Sequence, residues 1–443
     1  LTIDLTLNKE IFRIAIPNII ANISIPLLGI VDTALMGRMD DPAYIGAIAL
    51  GGIIFNILYW GLGFLRPGTT GLTAQSYGKD NFQECYRLLY RSSIIGFSLG
   101  LIILIFHEQL GQICFGLLSG SEQVEALAYE YFSIRVLAAP AVICIFALRG
   151  WFFGMQDAIS PMILTISSNV LNIIFSWYLV MELDMSVAGV AYGTMAAQLI
   201  TFLVAIIIVV VKYKSDVIKY FDSAVFKAKE MLRFLSVNRD MFIRNLCMIL
   251  VFSFYTNYSS QIDDDYLAIN QMLLQLFYFM AYAVDGFAYA SESLVGKYLG
   301  ARSITTVKDV IKKCLIYGLG FGALFSVGFI LSGSSILRIM TTNEQLIRDA
   351  QPYFIWLALV SISGALAFIW DGVYSGATAA KELRDSMLIS TIFFFAVFYC
   401  TRSTYPKISI WAAMVAFMLS RSIFQIILYK IRIVKQWLLQ YES

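Results

Sequence analysis

An ionisable side chain inside an apolar run is costly, and this sequence places few of them there. Asp32, Arg66, Arg135, Asp285 and Glu292 interrupt long apolar stretches, and Arg149 and Asp371 lie near the ends of two others. A charge at bilayer depth costs at least ~2.5–3.5 kcal/mol on insertion scales, so such residues are expected to face a bundle interior or water and to mark ion or substrate paths. Asp32 is the most informative. It lies 19 residues beyond Arg13, about 28 Å along an ideal helix, which places it in the outer half of a first span. Pro17 and Pro26 precede it; each removes a backbone donor and can bend the helix. A carboxylate on a bending helix is suited to carry a proton or cation. Burial favours its neutral form and a nearby cation its charged form, so its state can follow conformation. The alternative is a static acid near the outer headgroups with Arg38 as its partner.

Other polar residues fall at a similar depth. Asn172 and Ser176 are four apart and share a helical face, and Thr194 sits at a matching level on the next apolar run. Asp32, Asn172, Ser176 and Thr194 are therefore the candidate proton- or cation-coupling set, although each hydroxyl alone also fits a helix-packing role. Asp285 and Glu292 are seven apart, about two turns, and with Asp371 form a candidate polar network in the second half, for structure or for coupling. Arg149 and Asp371 occupy equivalent places in an internal repeat and are a candidate ion pair across the two halves. Nothing here resembles a catalytic or metal site. The single histidine, His107, stands at a helix end, and the six cysteines are scattered without a CxxC pair. No cofactor is expected beyond a coupling ion, a proton or Na⁺.

The elements that must position these residues are membrane helices. Of the 443 residues, 59% are hydrophobic and only 14% charged, against roughly 25% charged in a soluble domain. The net charge is +2 and no basic tract tracks phosphates, so nucleic acid is not an expected partner. Runs long enough to span lie near 11–36, 44–76, 88–107, 125–149, 159–181, 187–211, 237–262, 266–299, 308–332, 347–371, 385–402 and 408–431. Lys and Arg concentrate on the loops that share a side with both termini, which predicts that both termini are cytoplasmic. The first residue is Leu, so the native start is expected upstream, and no cleavable signal peptide is evident.

A shift of 222 residues aligns the halves without a gap from about 72 to 158. Gly78 meets Gly300, Gly96 meets Gly318, Gly100 meets Gly322, Gly150 meets Gly372 and Gly154 meets Gly376. Small residues let helices approach closely, so these glycines are expected at shared packing contacts. The repeat predicts an all-α integral membrane protein of twelve spans in two parallel six-helix lobes. The lobes are 1–211 and 237–443, joined by a basic cytoplasmic linker at 212–236. Position 254, the repeat partner of Asp32, is Phe, so the acid is not a duplicated scaffold feature.

The segments GIVDTALMGR (29–38), GFLRPGTTGLTAQSYG (63–78), GVAYGTMAAQ (189–198), DGFAYASESLVGKYLG (285–300) and IWDGVYSGAT (369–378) carry a resemblance over essentially the whole chain. It resembles the multidrug and toxic compound extrusion (MATE) transporters, in the DinF-like branch. The resemblance implies two lobes in a V around a cleft. It implies antiport of amphipathic or cationic organic compounds against protons or sodium in the bacterial cytoplasmic (inner) membrane. It implies that Asp32 is the protonation site, Pro17 the proline tied to bending of the first helix, and Asn172 and Thr194 the neighbouring polar positions. One departure matters. Relatives commonly place a second aspartate four residues after the asparagine, where this chain has Ser176. Either Asp32 suffices, or coupling is partly moved to Asp285, Glu292 or Asp371. A smaller departure is Pro67 beside Arg66.

Within the same superfamily, a flippase for a lipid-linked precursor is the alternative, although extra helices and a strongly cationic cavity are not evident. An intramembrane enzyme would need a nucleophile–base or metal constellation that one histidine and scattered cysteines do not offer. A channel would differ in showing flux without a driving gradient. Small amphipathic organic molecules and membrane lipid are the expected partners, and a monomer is the expected state.

Overall fold

Backbone N–H and C=O groups find no water in hydrocarbon, so each crossing segment must satisfy its own, and the α-helix does so. The computed structural model describes residues 2–36, 42–116 and 121–433; the side chains at 2–4, 27–30, 32–34, 36, 42, 215, 218, 223 and 433 lie outside that description. The described chain is helical throughout. Its first half runs α1 (Thr2–Met36), α2 (Pro42–Leu62), α3 (Leu65–Gly78), α4 (Phe82–Ile105), α5 (His107–Gly116), α6 (Glu122–Arg135), α7 (Ala139–Gly154), α8 (Ile159–Met181) and α9 (Ser186–Lys219). The second runs α10 (Ala228–Ile262), α11 (Asp264–Gly300), α12 (Ile304–Met340), α13 (Glu344–Ala350), α14 (Phe354–Gly376), α15 (Ala380–Thr401) and α16 (Pro406–Leu428). Among the described residues, 10 helical stretches are long and apolar enough to cross a membrane. With α1 and α10, which open the two halves, the helices group as six and six, as the repeat predicts.

The repeat is visible in the backbone. α4 and α12 start at Phe82 and Ile304, α6 and α13 at Glu122 and Glu344, and α7 and α14 end at Gly154 and Gly376, each pair at the same 222-residue spacing. Ser121 and Asn343, also equivalent, both cap the helix that follows by accepting its first free N–H groups. The left-handed turn residues recur too: Asp80 (φ 53°) pairs with Arg302 (φ 60°), and Gln156 (φ 63°) with Thr378 (φ 55°).

The shared glycines stand where the sequence reading expects them, at helix crossings. A Cβ on Gly150 would come 2.3 Å from the Arg66 carbonyl oxygen, and one on Gly372 would come 2.2 Å from that of Ala288, the repeat partner of Arg66. These contacts press α7 onto α3 and α14 onto α11. The halves differ at one place. The first breaks between Leu62 and Leu65, just before Pro67, whereas the equivalent stretch of α11, which carries Asp285, is continuous. Pro67 cannot donate to the carbonyl four residues earlier, which accounts for a break in the first half alone.

By packing, the chain forms two compact units: Ile20 to Leu235, and the residues up to Ile19 together with those from Ser236 onward. By packing, Thr2 to Ile19 thus group with the second half. Glu10 accepts from Lys297 Nζ at 3.0 Å and from the Tyr298 hydroxyl at 2.8 Å. The Phe12 ring meets Phe287 and Tyr317, and Gly286 leaves room for Ala15 and Ile19. The expected linker is folded rather than extended. α9 continues to Lys219 through a kink at Tyr213, a 3-10 turn covers Ser223–Phe226, and α10 begins at Ala228.

Candidate ion-coupling site

α8 is apolar on most faces but carries Asn172 and Ser176 on its buried side. They can be buried because α9 comes unusually close. Gly193 has no side chain, and a Cβ there would lie 2.7 Å from the Ser176 nitrogen and hydroxyl. A chain of hydrogen bonds crosses that contact. Ser176 Oγ donates to Asn172 Oδ1 at 3.4 Å, Asn172 Nδ2 donates to Thr194 Oγ1 at 2.7 Å, and Thr194 Oγ1 donates to the Val190 carbonyl at 2.8 Å. All three side chains are buried. The expected convergence of Asn172, Ser176 and Thr194 is thus observed within one unit. The chain is neutral and ends on acceptor lone pairs of Asn172 and Ser176, which can receive a proton donor or help ligate a small cation.

Asp32 lies on α1, and its side chain lies outside the described residues, as does Arg38. The part of α1 nearer its middle is anchored to the same helix as the polar chain. Asn169, three residues before Asn172, donates to Ser24 Oγ at 2.7 Å. Pro17 and Pro26 both sit inside α1, which stays helical through them. Side-chain donors crowd the carbonyls beside those the prolines leave unpaired: Asn18 donates to the Ile14 carbonyl at 2.7 Å and Ser24 to that of Ala21 at 2.6 Å. Neighbouring polar side chains of this kind are what lets a membrane helix tolerate proline. The boundary between the two packing units, Ile19 to Ile20, falls between the two prolines.

In the second half, Asp371 on α14 anchors a buried charge cluster. One carboxylate oxygen accepts from the guanidinium groups of both Arg244 (α10) and Arg421 (α16). The other accepts from Gln425 Nε2 at 2.7 Å. Arg421 is 0% exposed. Its remaining contacts are soft: the sulfurs of Met248 and Met418 at 3.5 and 3.8 Å, and the faces of Phe368 and Phe417. Asp285 lies within electrostatic reach of Arg421, and Glu292 is buried on the same helix. Asp371 thus finds two cations inside its own unit, and Arg149 is half-buried on α7 of the first unit. Arg244, Arg421 and Gln425 are the residues that sequence reasoning missed. Arg421 carries the plainest signal, a guanidinium in the middle of the apolar run IWAAMVAFMLSRSIFQIIL.

A further cation of the first unit, Arg135, spreads over the Phe55 ring at 4.3 Å and donates to the Tyr131 hydroxyl at 2.7 Å. Among the described residues there is no cluster of His, Cys, Asp and Glu able to hold a metal ion.

Two halves of six helices, each built on the same glycine contacts and burying a few polar groups, define a polytopic membrane protein. The MatE family model matches residues 17–178 and again 241–399, once in each half. The chain is 34% identical over 424 residues to the DNA damage-inducible protein F of Escherichia coli (strain K12), covering 94% of this chain and 90% of that one. It is 24% identical to the multidrug export protein MepA of Staphylococcus aureus (strain NCTC 8325 / PS 47), covering 96% and 94%. Among solved structures, a MATE protein in the bent conformation matches with a TM-score of 0.89 at 17% identity, covering 99% of this chain and 97% of that one. This chain belongs to the MatE family.

Proposed function

We infer that this protein is a secondary active multidrug exporter, which antiports small amphipathic organic compounds against protons or sodium ions by alternating access of its two halves. The family match over both halves and the likeness to MepA along nearly the full length support export. The observation that carries the coupling site is the buried chain Ser176–Asn172–Thr194 on the helix pair to which α1 is tied through Ser24 and Asn169. Asp32, on α1, supplies the charge that a neutral chain lacks, and Pro17 and Pro26 let α1 bend as that charge is gained or lost. Coupling then requires that ion and substrate each favour a different conformation.

The Asp371–Arg244–Arg421 cluster has a different role in this reading. Its carboxylate is already saturated by two guanidinium groups and an amide, so it ties α10, α14 and α16 together and leaves ion exchange to the first half. The distribution of Lys and Arg supports a multi-pass bacterial inner-membrane protein with both termini on the cytoplasmic side. The test is efflux from proteoliposomes under separately imposed proton and sodium gradients. Export driven by one of these gradients, saturating with substrate, supports antiport; equal flux with no gradient would make the protein a pore.

A further inference from the structure

Two acids of the stretch joining the two halves, Asp216 and Asp222, pair with the start of α4, and most of its cations are exposed. The Tyr86 hydroxyl donates to Asp216 at 3.2 Å, and Asp222 accepts from Arg87 Nε at 3.1 Å and from its terminal nitrogen. Arg91, 1% exposed, donates to the carbonyl oxygens of Ala224 and Val225, each at 2.9 Å. Tyr86, Arg87 and Arg91 all belong to the first turns of α4, a crossing helix. They hold the joining segment as a strap against the first turns of α4, not as a tether in open water.

What the strap shows outward is mixed. Lys219, Lys227, Lys229 and Arg233 are exposed. Between them, Phe221, Phe226 and Leu232 are 57%, 61% and 66% exposed, while the opposite face of α10 buries Phe234 and Asn238. A solvated charge run has no use for two exposed phenylalanines. Basic residues interleaved with large apolar ones at headgroup depth are what an anionic lipid surface binds.

We propose that the strap from Lys219 to Arg233 is a docking surface for anionic phospholipid, with Phe221, Phe226 and Leu232 set among the acyl chains and the four cations on the headgroup phosphates. The surface rests on the membrane-spanning fold and not on the export reading.

The test uses the full chain in vesicles. A nitroxide is attached at Phe226→Cys in a Cys114→Ser/Cys400→Ser background, the other cysteines being buried. In phosphatidylcholine vesicles containing phosphatidylglycerol, the nitroxide should be reached by oxygen more readily than by an aqueous nickel complex, and high salt should reverse that preference. An unlabelled chain should retain phosphatidylglycerol over phosphatidylcholine in native mass spectrometry. The variant K219Q/K227Q/K229Q/R233Q should lose roughly five-fold in retention per cation removed. A water-exposed nitroxide in both vesicle types would overturn the proposal. Equal immersion in pure phosphatidylcholine would also overturn it, since the contact would then be apolar only. So would equal retention of both lipids by the unaltered chain. Gradient-driven efflux of the quadruple variant in phosphatidylcholine vesicles reads the export function separately.

Discussion

Asn172 and Thr194 are joined across α8 and α9 by a hydrogen bond of 2.7 Å, buried from all sides. Single hydrogen bonds in membrane proteins average only ~0.6 kcal/mol by double-mutant cycles, because the alternatives also find partners. Thr194→Val should therefore lower thermal stability little. If the bond belongs to the coupling site, gradient-driven efflux should fall by roughly tenfold, the equivalent of about 1.4 kcal/mol. Melting curves and efflux rates on the same preparation separate the two effects. A purely structural hydroxyl would change the rate no more than the stability.

The Asp371 cluster makes an asymmetric prediction. Asp371→Leu strands the buried Arg421 guanidinium and the half-buried one of Arg244, whereas Arg421→Met leaves Asp371 with Arg244 and Gln425. Removing one partner of a buried ion pair costs about 3–5 kcal/mol. Asp371→Leu should be at the upper end of that range or beyond, and Arg421→Met should be milder. Thermal unfolding in detergent measures the order; the reverse order would remove the cluster's role as the tie between α10, α14 and α16.

The helix crossings predict which glycines tolerate a methyl group. At Gly100 a Cβ would come 2.3 Å from the Pro140 Cα, and at Gly372 it would come 2.2 Å from the Ala288 oxygen, whereas at Gly52 nothing lies within 4 Å. Gly100→Ala and Gly372→Ala should each cost about 1–3 kcal/mol through overpacking. Gly52→Ala should be neutral or slightly stabilising, because alanine favours the helix. Folded yield and melting temperature check all three.

The strap responds to pH in one direction. The Arg87 hydrogen bond holds the Asp222 carboxylate below its ordinary range. A depressed carboxylate contributes fully above its unfolded value and is lost as pH falls through its folded value. The protection of 220–226 from hydrogen exchange, taken relative to the free-chain rate at each pH, should therefore hold from pH 8 to about 5 and should fall only below about pH 4. In Asp222→Asn the protection should be lower throughout the neutral range and should meet that of the unaltered chain only in acid.

Much of the fold was legible because membrane helices advertise themselves by length and apolarity, and because the repeat fixes their number twice over. The span at 159–181 coincides with α8, and the shared glycines lie at the crossings they implied. The packing of the start of α1 was not legible, since α1 is one continuous helix whose packing changes partner between Ile19 and Ile20, inside the charge-free stretch between Arg13 and Asp32. In the site, Asn172, Ser176 and Thr194 were readable from helical spacing. Asp371 was readable as a buried charge, but its partners were not. Arg244 and Arg421 come from helices far apart in sequence, and only tertiary packing brings them to one carboxylate oxygen.

The central question for this protein is whether Asp32 couples ion movement to export. The decisive measurement compares unaltered and Asp32→Asn protein, at equal amounts in proteoliposomes, for concentrative efflux under an imposed ion gradient and for substrate exchange without one. If Asp32 is the coupling carboxylate, Asp32→Asn keeps substrate exchange and loses efflux against a concentration gradient. Concentrative, gradient-driven efflux by Asp32→Asn at the unaltered rate would contradict it.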